Sequence, residues 1–285
     1  MLRQRVITAV VLLLVLLPAL FYPSPAPFCA LTMVFIAAAA WEWARLAAYG
    51  QAASLAAGGV CALACAAAWW GGFLDRPLLG LWIAAAAVWV LGGAWLLRGG
   101  SVAWLKVPRP VRLGIGLFLL VLAWLAVARA RVVGINFLLS ILVLVWVADI
   151  FAYFAGRTWG GRIVSRKLAP SISPGKSWEG VWGGMAGVVV LAFCWRWADA
   201  AFQPPTPSFY SRLSDGELWF MALAAVWLAG MSVVGDLVES LVKRAAAVKD
   251  SSGLLPGHGG VLDRIDALLP TLPLAMLLYS LRAGS

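Results

Sequence analysis

Nine separate stretches of this chain are long and apolar enough to cross a bilayer, and no other feature constrains its fold as strongly. They run over 6–22, 28–48, 54–73, 78–97, 112–130, 135–155, 178–198, 217–236 and 264–282. A helix needs about 20 predominantly apolar residues to traverse the hydrocarbon core. Within that core the backbone must satisfy its own hydrogen bonds, which leaves helices for segments of this length. The pattern therefore predicts an all-α, polytopic integral membrane protein of about nine transmembrane helices. Composition agrees, because 63% of the 285 residues are hydrophobic and 12% are charged, too little polar surface for a soluble domain of this size.

The formal net charge of +10 invites a nucleic-acid reading, but its distribution points to topology. With the N-terminus in the cytoplasm, nine spans leave only Arg76, Arg129, Arg131, Arg196, Arg212 and Arg282 on the outer side, and every other Lys and Arg falls inside. That is the positive-inside bias, with some charge left for anionic lipid heads. No nucleic acid is expected as a partner. The prolines of Tyr22-Pro-Ser-Pro-Ala-Pro-Phe28 make a poor cleavage site, so the first span reads as a retained anchor. Cys29, Cys61, Cys65 and Cys194 all fall within spans, where a small apolar role is expected.

The acids are unevenly placed. Glu42 and Asp75 are the only two before residue 149. A single membrane domain is expected, with 1–135 mainly scaffold and 136–285 carrying the catalytic helices and cytoplasmic loops. Two cytoplasmic segments, 156–180 and 237–263, follow the sixth and eighth spans and so share one face of the membrane.

Asp236, Glu239, Ser240 and Lys243 fall on one helical stripe. An acid at the end of a membrane helix is costly unless paired, hydrated or bound to a cation, and a Glu239–Lys243 pair is the plainer reading. Beyond it, Lys249, Asp250 and Pro256-Gly-His258-Gly259-Gly260 form a loop whose glycines allow backbone N–H groups to converge on an anion. It is equally readable as an interhelical turn. Asp263 and Asp266 then open the ninth span. They can cap the helix, Asp263 as N-cap, or join Asp236 in holding a hard divalent cation and substrate phosphates. Lys243, Arg244, Lys249 and Arg264 stand ready to neutralise phosphate charge. Upstream, Ser173 and Lys176 suit phosphate contacts and Trp178 suits the membrane interface.

Residues 240–266, SLVKRAAAVKDSSGLLPGHGGVLDRID, resemble the signature of the phosphatidate cytidylyltransferase (CDP-diacylglycerol synthase) family. The matching positions are Ser240, Lys243, Arg244, Lys249, Asp250, Pro256, His258, Gly259, Gly260, Asp263, Arg264 and Asp266. Asp149, Ala152-Tyr153-Phe154, Gly156-Arg157 and Ser173-Pro-Gly-Lys-Ser-Trp-Glu-Gly180 are similar to further family segments. Two departures are Phe151, where a small residue is expected, and a stretch Gly161–Arg166 that is longer than usual.

The resemblance implies transfer of a cytidylyl group from CTP to phosphatidate, giving CDP-diacylglycerol and pyrophosphate. It implies Asp236, Asp263 and Asp266 as ligands of a centre holding Mg2+, with K+ as a possible second cation, and a homodimer in the inner membrane. On this view Lys243, Arg244, Lys249, Asp250, His258 and Arg264 serve catalysis, and Ser173, Lys176, Ser240, Gly259 and Gly260 contact substrate. A phosphate monoester is already ionised near pH 7, so the reaction requires charge neutralisation and in-line placement rather than a strong base. Two competing readings are a CTP-dependent lipid kinase, which needs a base for its alcohol, and an anion transporter, which does not explain acids gathered on one face.

Overall fold

The computed structural model describes residues 2–283. Its helices are α1 (Leu2–Phe21), α2 (Ala26–Leu46), α3 (Gln51–Trp70), α4 (Leu79–Ala87), α5 (Gly93–Lys106), α6 (Arg109–Val133), α7 (Ile135–Trp159), α8 (Trp178–Phe202), α9 (Phe209–Ser214), α10 (Leu218–Ala245), α11 (Leu262–Ile265) and α12 (Leu268–Ala283). A π-helical turn, Val88–Gly92, joins α4 to α5. Among the described residues there are nine segments long and apolar enough to span a membrane, and there is no extended strand. The all-α polytopic expectation holds.

The helices outrun the apolar stretches in an informative way. The eighth stretch loses its apolar character at residue 236, yet α10 continues to Ala245. Leu, Glu, Lys and Arg are strong helix formers, and the Glu239–Lys243 pair sits at the favourable i, i+4 spacing. The helix thereby carries its acidic stripe out of the apolar zone on a rigid rod. The ninth span is divided instead: α11 ends at Ile265 and α12 starts at Leu268, so Asp266 stands at the break.

Helices α7 and α8 make the most extensive pairing among the described residues, built on small residues as membrane interfaces are. Phe151, the bulky departure noted in the sequence, lies against Gly187, where a Cβ would come within 2.4 Å of its ring. The missing side chain at 187 makes room for the extra one at 151. On the other side of the bundle α2 packs on α3 and α6, with the Trp43 indole donating to the Arg112 carbonyl at 2.9 Å. Trp82, Trp124, Phe137 and Tyr210 are fully buried.

The first helix is peripheral. Its apolar side chains, from Val6 to Leu17, are mostly exposed, as expected of a surface that faces lipid. Buried Arg131 of α6 donates to the carbonyls of Leu20 (2.9 Å) and Tyr22 (2.5 Å), satisfying the C-terminal end of α1. At the other end Arg5 donates to the Gly257 carbonyl at 3.0 Å and Thr8 to that of Pro256 at 2.9 Å. Cys29, Cys61 and Cys65 are buried and Cys194 is exposed, and all four are free.

Candidate active site

A cavity of about 450 Å³ opens between α7, α8 and α10, closed on one side by the 175–177 turn. Asp149, Tyr153, Gly156 and Arg157 of α7 line it, as do Lys176, Ser177 and Asp236. Lys176 Nζ lies 2.5 Å from Asp236 Oδ2, and the Ser240 hydroxyl donates to Asp236 Oδ1 at 3.2 Å. Arg157 donates to the Tyr153 hydroxyl at 2.8 Å. The wall beside these polar groups is apolar, with Ala148, Ala152, Val181, Met185, Ala229 and Val233.

The 160–177 segment that supplies Lys176 is held from below by a buried carboxylate. Glu179 Oε1, in the first turn of α8 where an acid suits the helix dipole, accepts the amides of Gly161 (3.1 Å), Ile163 (3.1 Å) and Val164 (2.9 Å). The stretch 161–164 is thus wrapped around one anion. Ser177 caps α8, accepting the Gly180 amide at 3.2 Å. Ser173 lies in a tight turn, its amide donating to the Ala169 carbonyl at 2.8 Å, and it is not among the residues lining the cavity.

Behind Asp236 lies a second polar cluster. Lys243 Nζ stands 2.5 Å from Glu239 Oε2 and 2.6 Å from Asp263 Oδ1. The other oxygen of Asp263 accepts the amides of Ser251 (2.9 Å) and Gly260 (2.7 Å) and lies 2.9 Å from the Ser251 hydroxyl. The Glu239–Lys243 pair expected from the sequence is present, but it is neither exposed nor alone. Glu239 is only 3% exposed, and the lysine bridges two carboxylates from different helices. The capping reading of Asp263 is corrected as well: Val261 is the N-cap of α11 and Asp263 lies inside its first turn. Asp266 Oδ1 accepts the Ala267 amide at 2.7 Å, next to the break between α11 and α12.

Asp236 is within electrostatic reach of both Asp149 and Asp266. Carboxylates gathered at a membrane rim are stabilised by pairing, water or a bound cation, and Lys176 already stands beside Asp236. Among the described residues no three Asp, Glu, His or Cys side chains converge on one point. Two carboxylates, Asp236 and Asp266, could hold a hard cation only if water and phosphate completed its oxygen shell. Asp263 joins them only by exchanging Lys243 for it.

The glycine-rich loop does converge its amides on anions, and those anions belong to the chain itself. The Gly260 amide goes to Asp263, while those of Val261 (3.0 Å) and Leu262 (2.7 Å) go to Glu42 of α2. Gly260 is required because a Cβ there would stand 2.0 Å from Ser251 Oγ and 2.4 Å from Glu42 Oε1. Gly259 sits at φ +84 beside Asp263. Arg264 donates to the His258 carbonyl at 2.9 Å from Nε and 2.5 Å from Nη2, so both residues shape the loop. Arg244 lies on the exposed side, its Nε 3.4 Å from the Ile172 carbonyl, and Lys249 and Asp250 are exposed on the loop surface.

Glu42, Ser251, Ser252, Ser177 and Glu179 were not singled out as functional from sequence. A signal for Glu42 existed: it is a lone acid inside an apolar span, and such an acid requires partners.

The profile of the cytidylyltransferase family matches residues 3–282. A phosphatidate cytidylyltransferase of Pseudomonas aeruginosa is 39% identical over the full length of both chains. Those of Haemophilus influenzae and Bacillus subtilis are 46% and 38% identical over about half of this chain and about half of their own lengths. A match that spans nearly every residue, including each element that builds the cavity, shows that this chain belongs to the cytidylyltransferase family.

Proposed function

We propose that this chain transfers the cytidylyl group of CTP to phosphatidate, forming CDP-diacylglycerol and releasing pyrophosphate. The name of the full-length Pseudomonas aeruginosa relative supports the substrates. The observation that carries the chemistry is the Lys176–Asp236 pair, set with Asp149, Tyr153, Arg157 and Ser177 at the polar end of a cavity whose other wall is apolar. Such a site takes a lipid chain along its wall and gathers phosphates at its polar end.

An ionised oxygen of the lipid phosphate attacks the α-phosphorus of CTP. The bond from that phosphorus to the bridging oxygen of the β-phosphate breaks, and pyrophosphate leaves with the electron pair. Because the nucleophile is already anionic, the chain's work is alignment and relief of repulsion. Lys176 and Arg157 at the cavity orient the two polyanions, while Arg244 and Lys249 on the exposed surface draw them in and Arg264 holds the loop through the His258 carbonyl. Lys243 turns from Asp263 toward phosphate as substrate arrives. Ser240 keeps Asp236 oriented, and Ser173, His258, Gly259 and Gly260 shape the turns that hold these groups, with Asp250 on the rim.

Asp236 and Asp266, joined by Asp263, would hold Mg2+, with K+ as a second cation. Bound there, Mg2+ supplies Lewis-acid neutralisation of the triphosphate. The proposal places the site at the cytoplasmic face of the bacterial inner membrane, with the N-terminus on that side, in a homodimer. Purified protein incubated with CTP labelled on the base, phosphatidate and Mg2+ tests the reading: it requires a labelled lipid and one pyrophosphate per turnover. Release of CDP with phosphorylation of a lipid alcohol instead makes the chain a kinase.

A further inference from the structure

We propose that Glu42, on a helix that contributes nothing to the cavity lining, is a positioning residue for this reaction. Its carboxylate holds both stems of the 251–262 loop and so sets where Asp263 and Asp266 stand. The inference rests on the cytidylyl-transfer reading above.

Glu42 is fully buried. Oε1 accepts the Ser252 hydroxyl at 2.5 Å and the Val261 amide at 3.0 Å. Oε2 accepts the Leu262 amide at 2.7 Å, and the Ser251 hydroxyl lies 3.1 Å away. Two of these donors sit at the start of the loop and two at its end, so a single side chain from α2 closes it. All four donors are neutral. A buried carboxylate is tolerated only where donors replace its lost water, and here the loop backbone is that replacement.

The link to Asp263 is direct. The Ser251 hydroxyl reaches both carboxylates, 3.1 Å to Glu42 Oε2 and 2.9 Å to Asp263 Oδ2, and its single hydrogen serves one of them at a time. Three successive amides are divided between the same two anions, Gly260 to Asp263 and then Val261 and Leu262 to Glu42. The turn that presents Asp263 therefore cannot shift without stretching the bonds to Glu42. Asp266 follows at the end of the four-residue α11 and moves with it. A group that only glued helices together would need no such connection to an acid of the site.

The test uses the full chain in nanodiscs, comparing wild type with Glu42→Gln, which keeps size but puts two donors where acceptors stood, and with Ser252→Ala, which removes one donor. Two quantities are read: the Mg2+ dependence of cytidylyl transfer from CTP to phosphatidate, and amide hydrogen exchange over residues 251–266. Positioning requires faster exchange at 251–262 in both variants. For Glu42→Gln it requires at least a tenfold lower kcat and at least a threefold higher Mg2+ concentration for half-maximal rate, with KM for both substrates within twofold. Ser252→Ala must shift the same quantities in the same direction by less. Variants with a loosened loop but wild-type kcat and Mg2+ requirement overturn the proposal, as does unchanged exchange. If Glu42→Gln does not fold, Ser252→Ala decides alone. A wild-type chain that makes no CDP-diacylglycerol refutes the functional reading itself, a result seen before any variant is compared.

Discussion

Lys176 Nζ and Asp236 Oδ2 stand 2.5 Å apart, tying the 160–177 segment to α10 across the polar end of the cavity. Both side chains are partly exposed, at 26% and 34%. A pair this accessible contributes only about 0–1 kcal/mol to stability, so its consequence lies in where it puts a cation and a carboxylate. Lys176→Met is expected to leave thermal unfolding within about 1 kcal/mol of wild type. The same variant should lower kcat/KM by roughly 10²-fold, the usual scale for removing one preorganised electrostatic group. Steady-state kinetics alongside a melting curve checks both halves.

The carboxylates at the rim should behave differently from one another. Asp236→Asn and Asp266→Asn remove charge from the residues best placed for a cation, and turnover should fall by roughly 10²–10³-fold or more. Asp263→Asn should do the same and also leave Lys243 paired with Glu239 alone. All three proteins should still partition into the membrane fraction in normal amounts, because each change removes a charge near the end of a span and leaves its apolar residues in place. Near wild-type turnover in any one of them removes that residue from the proposed cation site.

Chelation provides an independent check. Stripping divalent cations with excess EDTA should abolish labelled-lipid formation, and Mg2+ should restore it while the fold stays intact by circular dichroism. Activity that survives exhaustive chelation excludes the role proposed for the carboxylates.

Gly260→Ala should disrupt the loop by simple collision, since the new methyl would stand 2.0 Å from Ser251 Oγ and 2.4 Å from Glu42 Oε1. Overpacking of this kind costs about 1–3 kcal/mol. Most of that should appear as faster hydrogen exchange at 251–262 rather than as global unfolding, because α2 stays packed on α3 and α6, and α10 on α8 and α12.

The pairing of Phe151 with Gly187 predicts a compensating effect. Gly187→Val collides with the Phe151 ring and should destabilise the α7–α8 contact by about 1–3 kcal/mol. Adding Phe151→Ala should recover much of the loss, leaving a coupling energy of at least about 0.5 kcal/mol in a double-mutant cycle. Strict additivity would show that the two residues do not share this space.

Hydropathy located the nine candidate spans found among the described residues, because a bilayer demands a long, predominantly apolar stretch for each crossing. That Asp236, Asp263 and Asp266 lie close together along the sequence was equally visible, since acids are scarce here and stand out; that Asp263 turns to Lys243 was not. Helix ends were less legible. The extension of α10 to Ala245 and the break at Asp266 depend on partners such as Lys243 and Asp263, which lie twenty positions apart in the chain. Phe151 read as an anomaly for the same reason: its complement, Gly187, is on another helix.

What the chain determines by itself is its solvent and its sign pattern: which segments lie in lipid, and that acids, bases and glycines gather beside the eighth and ninth spans. Tertiary structure decided which charge meets which. It set Lys176 on Asp236, divided Lys243 between Glu239 and Asp263, and drove Glu42 from a distant helix into the glycine-rich loop. Hydrophobic burial is additive along a sequence and can be summed locally. A hydrogen bond or ion pair depends on ångström distances between residues that only the completed packing brings together.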